Sequence, residues 1–302
     1  MSALAPVLRR WRIVCAGAAV AVVLGAIVAS GSDDARDRAP AGGWAFVRSV
    51  PGDRAVVWAV GDGADGDAAG RRMAALIARG PVSRLLYLGD VYGSGTAEEF
   101  AHEYATTYGR LARVTAPVSG NHDASNETAG YDPYWRRVHG VRPPDWYAFR
   151  AGGWTIIALD SEAPHHRGSS QHRWLRRQVR TPGTCRIAVW HRPRFSASDR
   201  HGDQPDMEPL LEPLRGRAAI VVGGHDHDMQ RFHPIDGITH FVSGAGGHGL
   251  YGLDSGDRLA FGNDRNFGAL RLDLRAGTAR HAFVSAEGQT LDTGTIRCRP
   301  VR

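Results

Sequence analysis

The sequence of 302 residues contains no lysine, so all 37 basic side chains are arginine. This reads as codon bias in a GC-rich genome and carries no functional signal. Nor is there a run of five or more arginines. The net charge of +6 and the pI near 9.6 therefore describe a solvated basic surface, which argues against a nucleic-acid-binding protein. Cysteine is scarce, with only Cys15, Cys185 and Cys298, and no Cys-x-x-Cys pair occurs. That excludes a thiolate metal site of the usual spacing and makes a redox metalloprotein a remote reading. Internal repeats and low-complexity domains are absent. What remains is an ordinary globular composition, 42% hydrophobic and 23% charged, with 38 glycines for tight turns.

The N-terminus bears on the compartment. Arg9, Arg10 and Arg12 precede residues 13–30, which hold no charge, and a polar, breaker-rich stretch follows. Positive, apolar, polar is the order of a secretory signal or an N-terminal membrane anchor. About 18 apolar residues can just span a bilayer. The arginines should stay inside, which places everything after residue 30 outside the cytoplasm. The small residues Ala29, Ser30 and Gly31 do not make a sharp cleavage site, so anchored and secreted forms both stay open. Outside the cytoplasm, Cys185 and Cys298 are candidates for a disulfide, although spacing alone does not establish one.

The expected organisation is a signal or anchor at 1–30, a linker at 31–52 and one domain over 53–302. Apolar runs at 55–60, 84–89, 154–160, 186–190 and 218–224 suit central strands covered on both faces. Between them lie amphipathic helical patterns at 66–80, 96–111 and 169–180, the second opened by a Thr96–Glu99 capping box. Beyond residue 228 the pattern turns strand-rich, at 239–243, 268–274 and 279–285. The alternation predicts a layered α/β fold. His165, His166 and His172 read as surface residues, with Trp174 and Leu175 facing the core.

Polar motifs stand where these apolar runs end. Asp62 follows AVVWAVG, Asp90 follows LLYLG, and Asn121 and His122 follow VTAPVSG; His191 follows RIAVW, and His225 and His227 follow AAIVVGG. Each has a plainer reading alone: Gly61-Asp62-Gly63 is a turn signal, and His191 could be a satisfied strand-end histidine. Together, each after its own strand, they point to a metal site, because α/β sheets bind ligands at the carboxyl ends of their strands.

The order of these motifs resembles the calcineurin-like metallophosphoesterase superfamily, with most likeness to the purple or tartrate-resistant acid phosphatases. The likeness covers roughly 55–298 and includes HRPRFSASDRHGD (191–203), GGHDHDMQRF (223–232) and FVSGAGG (241–247). It implies a four-layer αββα sandwich holding two transition-metal ions, of Zn, Mn, Fe or Co type. Metal one would take Asp62, Asp90 and His227; metal two would take Asp90, Asn121, His191 and His225, with Asp90 bridging. A hydroxide shared by the ions would attack a phosphomonoester, and a phosphodiester could use the same core. A non-catalytic binding protein of the same fold is the rival reading. The partners implied are a phosphate-ester substrate and, if the N-terminal segment is uncleaved, a membrane.

Two departures from the family pattern stand out. Ala64 takes the place of a histidine that the purple phosphatases also lack. Their tyrosine would fall at position 93, which is Gly93 here, with Tyr92 one residue early. Tyr92 either reaches the metal through a changed loop or only packs. His122 would aid the leaving group and His201 would stand on the substrate side, with His248 and Arg192 at the rim. The loops at 124–150, 195–206 and 248–266 would set specificity.

Overall fold

A computed structural model describes residues 46–298. The expected N-terminal signal or anchor at 1–30 and most of the expected linker lie outside the described residues. No helix among the described residues is long and apolar enough to cross a membrane. Within the linker's last stretch, Phe46 and Val47 are buried in the core, and Val50 N–H donates to Arg150 O at 2.7 Å.

Among the described residues, thirteen strands form two mixed sheets. In chain order they are β1 (Arg54–Val60), β2 (Arg84–Tyr87), β3 (Thr115–Pro117), β4 (Tyr147–Ala151), β5 (Trp154–Ala158), β6 (Cys185–Val189) and β7 (Ile220–Gly223). There follow β8 (Met229–Phe232), β9 (Thr239–Ser243), β10 (Leu259–Asn263), β11 (Gly268–Arg275), β12 (Thr278–Ser285) and β13 (Thr290–Arg297). Sheet one runs β13-β12-β11-β1-β2-β3 and sheet two runs β10-β8-β9-β7-β6-β5-β4. Strands β1, β2 and β3 are parallel, as are β5, β6, β7 and β9. Their carboxyl ends therefore gather at one edge.

Sheet two divides its side chains with a period of two, as strand geometry requires. Ile156, Ile187, Val189, Ile220, Val222 and Phe241 join Val57, Leu86, Leu270 and Leu272 of sheet one in a single core. Their neighbours Ile157, Ala188, Trp190, Val221 and Val242 face the other way, onto Leu175, Val179, Leu210, Leu211 and Leu214. Helix Ala68–Arg79 supplies Met73, Ala74 and Ile77 to the core on the side of sheet one. The result is the expected α/β fold, two sheets with helices packed against them. Cys185, at the start of β6, is disulfide-bonded to Cys298 just beyond β13, so a covalent link joins the two sheets.

Two expectations are corrected. The helix expected over 96–111 begins on its Thr96–Glu99 capping box but does not continue. It widens into a π turn at Phe100–Tyr104, breaks, and resumes as a 3-10 turn over Tyr108–Val114. The hydroxyls of Thr106 and Thr107 bond back to the carbonyls of His102 and Glu103, at 2.5 and 2.6 Å, a local alternative to the helical ladder. Second, His172 is buried rather than on the surface: it sits on the inner side of helix Ser170–Gln178, where its Nδ1 accepts from Gly168 N–H at 3.1 Å.

Candidate metal centre

The motifs meet where the parallel strands end. Asp62 follows β1 and Asp90 follows β2, while Asn121 opens a short helix after β3. His191 follows β6, and His225 and His227 follow β7. Asp62, Asp90 and His225 adopt positive φ, 59°, 65° and 70°. Non-glycine residues rarely enter this left-handed region, and such strain concentrates at functional sites. Here the reversal stops each strand and swings its terminal side chain into the cleft. Gly120 allows the approach of the third loop: a Cβ there would lie 2.1 Å from Asp90 Oδ1.

Hydrogen bonds between the loops fix the arrangement, one of them joining the two sheets. Asp62 Oδ2 accepts from His225 N–H at 2.8 Å, and Asp90 Oδ1 accepts from His122 N–H at 2.9 Å. Buried Asp123 accepts from the amides of Asp90, Val91 and Gly120 at 2.9–3.0 Å, tying the second loop to the third. Burial and the nearby Asp90 charge push its carboxyl up to about 7, against those three amides.

The donor atoms form two adjoining groups. In the first, Asp90 Oδ2 lies 3.4 Å from His191 Nε2, Asn121 Oδ1 lies 3.0 Å from the same nitrogen, and His225 Nδ1 lies 3.2 Å from it. One ligand atom from each of Asp90, His191 and His225 falls within 4.8 Å of the others. In the second, Asp62 Oδ1 lies 3.6 Å from His227 Nε2, and the Tyr92 hydroxyl is 3.0 Å from Asp62 Oδ1 and 2.8 Å from His227 Nε2. The Tyr92 hydroxyl is also 3.4 Å from Asp90 Oδ2, which places Asp90 between the groups.

The chemistry of these donors fits cations. Carbonyls take up the outer nitrogens of two histidines: His191 Nδ1 faces Leu88 O and His227 Nδ1 faces Gly249 O, both at 2.7 Å. A proton on each Nδ1 leaves Nε2 as a lone pair, the usual way a protein orients a metal-ligating imidazole. The His191 lone pair points at the Asp90 and Asn121 oxygens, which are themselves acceptors, whereas the Tyr92 hydroxyl is the one donor among the atoms of the second group. Burial first, then neighbouring cationic groups, hold His225 and His227 neutral, with pKa values pushed down to about 2 and about 3. His191 is the exception. Burial favours its neutral form, but the Asp90 carboxylate prevails and lifts it to about 10. Burial alone would raise Asp90; His191 instead holds it below the usual carboxylate range.

Around this core stand further side chains. His122 Nδ1 lies 2.6 Å from Gly93 O and its Nε2 lies 3.9 Å from Asp90 Oδ2. His201 stacks on His225 at 4.2 Å between centroids, with Nδ1 held 3.0 Å from Asp226 Oδ1. His248 stacks on Tyr92 at 3.9 Å and its Nδ1 lies 2.7 Å from Asp65 Oδ2. Arg192 is paired with Glu162 through Nε–Oε1 at 2.7 Å. The candidate ligands with His122, His201 and His248 thus form one connected cluster of side chains, with Arg192 paired to Glu162 beyond it. Sequence reasoning missed the residues that position them: Asp65, Asp123, Asp226 and Tyr251, whose ring stacks on His227 at 3.8 Å. Asp123 and Asp226 lie inside the Gly-Asn-His-Asp and Gly-His-Asp-His motifs, so their place beside the candidate ligands was a usable signal.

An α/β protein with two adjoining oxygen and imidazole donor groups at the carboxyl edge of its sheets is a candidate binuclear metalloprotein. Residues 57–229 match the sequence profile of the calcineurin-like phosphoesterases, and the chain belongs to that family. It is 28% identical over 154 residues to purple acid phosphatase 21 of Arabidopsis thaliana, covering 43% of this chain and 35% of that protein. It is 22% identical over 185 residues to purple acid phosphatase 1 of Ipomoea batatas, covering 53% and 39%. The chain thus spans about a third of the length of the first of these relatives. Among solved structures, purple acid phosphatase PPD1 of yellow lupin (Lupinus luteus) superposes with a TM-score of 0.67 at 16% identity, covering 82% of this chain and 54% of that one. GAP50, described as the anchor in the inner membrane complex of Plasmodium, superposes with a TM-score of 0.68 at 17% identity, covering 83% and 91%.

Proposed function

We propose that this protein is an extracytoplasmic, metal-dependent phosphomonoesterase. The observation that carries the reading is the pair of adjoining carboxylate and imidazole groups that meet at Asp90. Asp62, Asp90, His227 and the Tyr92 oxygen would hold one ion; Asp90, Asn121, His191 and His225 would hold the other. Mixed carboxylate, amide and imidazole donors suit Zn, Mn, Fe or Co. Bound there, two such ions supply a hydroxide nucleophile near neutral pH and neutralise charge on the phosphoryl oxygens.

The chain's own groups do the rest. His122 is fixed by Gly93 O and stands at the open side of Asp90, with a side chain 37% exposed. There it donates the proton that an alkoxide leaving group needs. His201, oriented by buried Asp226, binds a phosphoryl oxygen from the side of His225. The extracytoplasmic part of the reading is supported by the charge order of the N-terminus and by the Cys185–Cys298 disulfide, which persists in oxidising compartments. A non-catalytic role has one support, the likeness in fold to a neighbour described as an anchor. The complete donor set weighs against it.

The test is hydrolysis of an aryl phosphate by protein reconstituted with Zn, Mn or Fe, beside the matching diester. The expected result is faster monoester turnover, lost by about a thousandfold or more in Asp90→Ala, as removal of a shared ligand requires. Full activity in Asp90→Ala would place the chemistry elsewhere.

A further inference from the structure

The loops at 195–206 and 248–266 are joined into one rigid tab beside the metal centre. Ser198 and Leu253 form an antiparallel bridge, Asp199 N–H donates to Gly252 O at 3.0 Å, and Asp254 N–H donates to Ala197 O at 2.8 Å. Ala197 N–H is further held by buried Gln230 at 2.7 Å, and Ser196 N–H by Asp203 at 2.9 Å. Arg258 pairs with Asp203 at 3.0 Å from the other loop.

At the tip of this tab stands Arg200. Its side chain is exposed, and its guanidinium lies 5.0 Å from the centroid of the Tyr251 ring. That ring stacks on the candidate ligand His227 at 3.8 Å and meets His201 edge-on at 5.5 Å. No carboxylate among the described residues lies within ion-pair distance of Arg200. The other arginine at this rim, Arg192, is paired with Glu162. A cation held against an aromatic face, on a braced loop and without an internal counter-ion, is preorganised for an external anion. The scissile phosphate belongs on the metal side of Tyr251, so a charge met by Arg200 is a second one.

We propose that Arg200 selects phosphate esters whose leaving group carries a second anionic group, a carboxylate or phosphate, close to the scissile phosphorus. This rests on the phosphoesterase reading above. Tyr251 serves as the positioning residue that holds the guanidinium at the rim.

Phenyl phosphate and 3-carboxyphenyl phosphate, compared on the metal-loaded full chain, separate the possibilities. In the wild type, kcat/KM should favour the carboxylated ester. Arg200→Ala should lower that preference about tenfold, the worth of one ion pair at a partly desolvated site, and Arg200→Lys should restore part of it. In direct binding by calorimetry to the metal-loaded chain, pyrophosphate should lose affinity in Arg200→Ala more than orthophosphate does, an equilibrium readout independent of turnover. An unchanged preference, or an equal loss on both esters and both anions, would overturn the role of Arg200. Failure of the metal-loaded wild type to hydrolyse either ester would instead overturn the phosphoesterase reading.

Discussion

At the scale of the residue, the candidate site is a set of acceptors held by backbone. Leu88 O and Gly249 O set the tautomers of His191 and His227, and positive φ at Asp62, Asp90 and His225 aims three of the side chains. His122 stands at the edge, its ring held by Gly93 O and packed on Tyr92, and 37% exposed to solvent. If it protonates the leaving oxygen, His122→Ala should slow an alkyl phosphate about a hundredfold, the size of one general acid, and an activated aryl phosphate far less. Equal loss on both would show that His122 binds phosphate instead. The identities of these residues were legible in the sequence because the polar motifs recur together, each after a segment read as a strand. Their orientation was not. Left-handed backbone at an aspartate or histidine has only a weak sequence signal, and a carbonyl partner such as Leu88 O comes from a residue whose side chain says nothing about it. The site of Tyr92 was ambiguous for a related reason: a shift of one residue in a loop changes direction in ways that spacing does not encode.

At the scale of the element, the strands read best were the central ones. Runs such as RLLYLG and RIAVW are apolar throughout because both faces are covered. The strands missed, β4, β10 and β13, are sheet edges, and β8 lies next to one; β13 alternates between exposed and half-buried residues and carries little apolar signal. The helix expected over 96–111 failed where threonine hydroxyls compete for carbonyls. One central strand carries a pH liability. His240 on β9 is buried against Phe195, with Nε2 unpartnered among the described residues, and burial pushes its pKa down to about 4. The unfolded chain takes up a proton near pH 6.5 while the folded one resists until about pH 4, so stability falls as pH drops through that window. Between about pH 7 and pH 5 this residue should cost up to about 2 kcal/mol. Urea unfolding of wild type and His240→Leu at both pH values checks it: the variant should lose less stability on acidification, and an identical loss would acquit His240.

At the scale of the whole molecule, the architecture brings together residues far apart in the chain, because parallel strands from two facing sheets end at the same edge. The α/β layering followed from alternating apolar and amphipathic segments, whereas the packing of sheet on sheet depends on contacts between distant strands. The Cys185–Cys298 link, 113 residues apart in sequence, spans those sheets. Closing so long a loop in the unfolded chain implies stabilisation of about 2–5 kcal/mol. A free-thiol assay should find neither cysteine titratable in native protein, and Cys185→Ser should lower the melting temperature. Reactive thiols at Cys185 and Cys298, as distinct from Cys15, with unchanged melting would remove the bond from the account of stability.

The two-metal centre itself is tested most directly by counting. Protein stripped of metal, reloaded with Zn or Mn and freed of excess ion should retain about two ions per chain. Zero or one ion in correctly folded wild-type protein would contradict a binuclear centre.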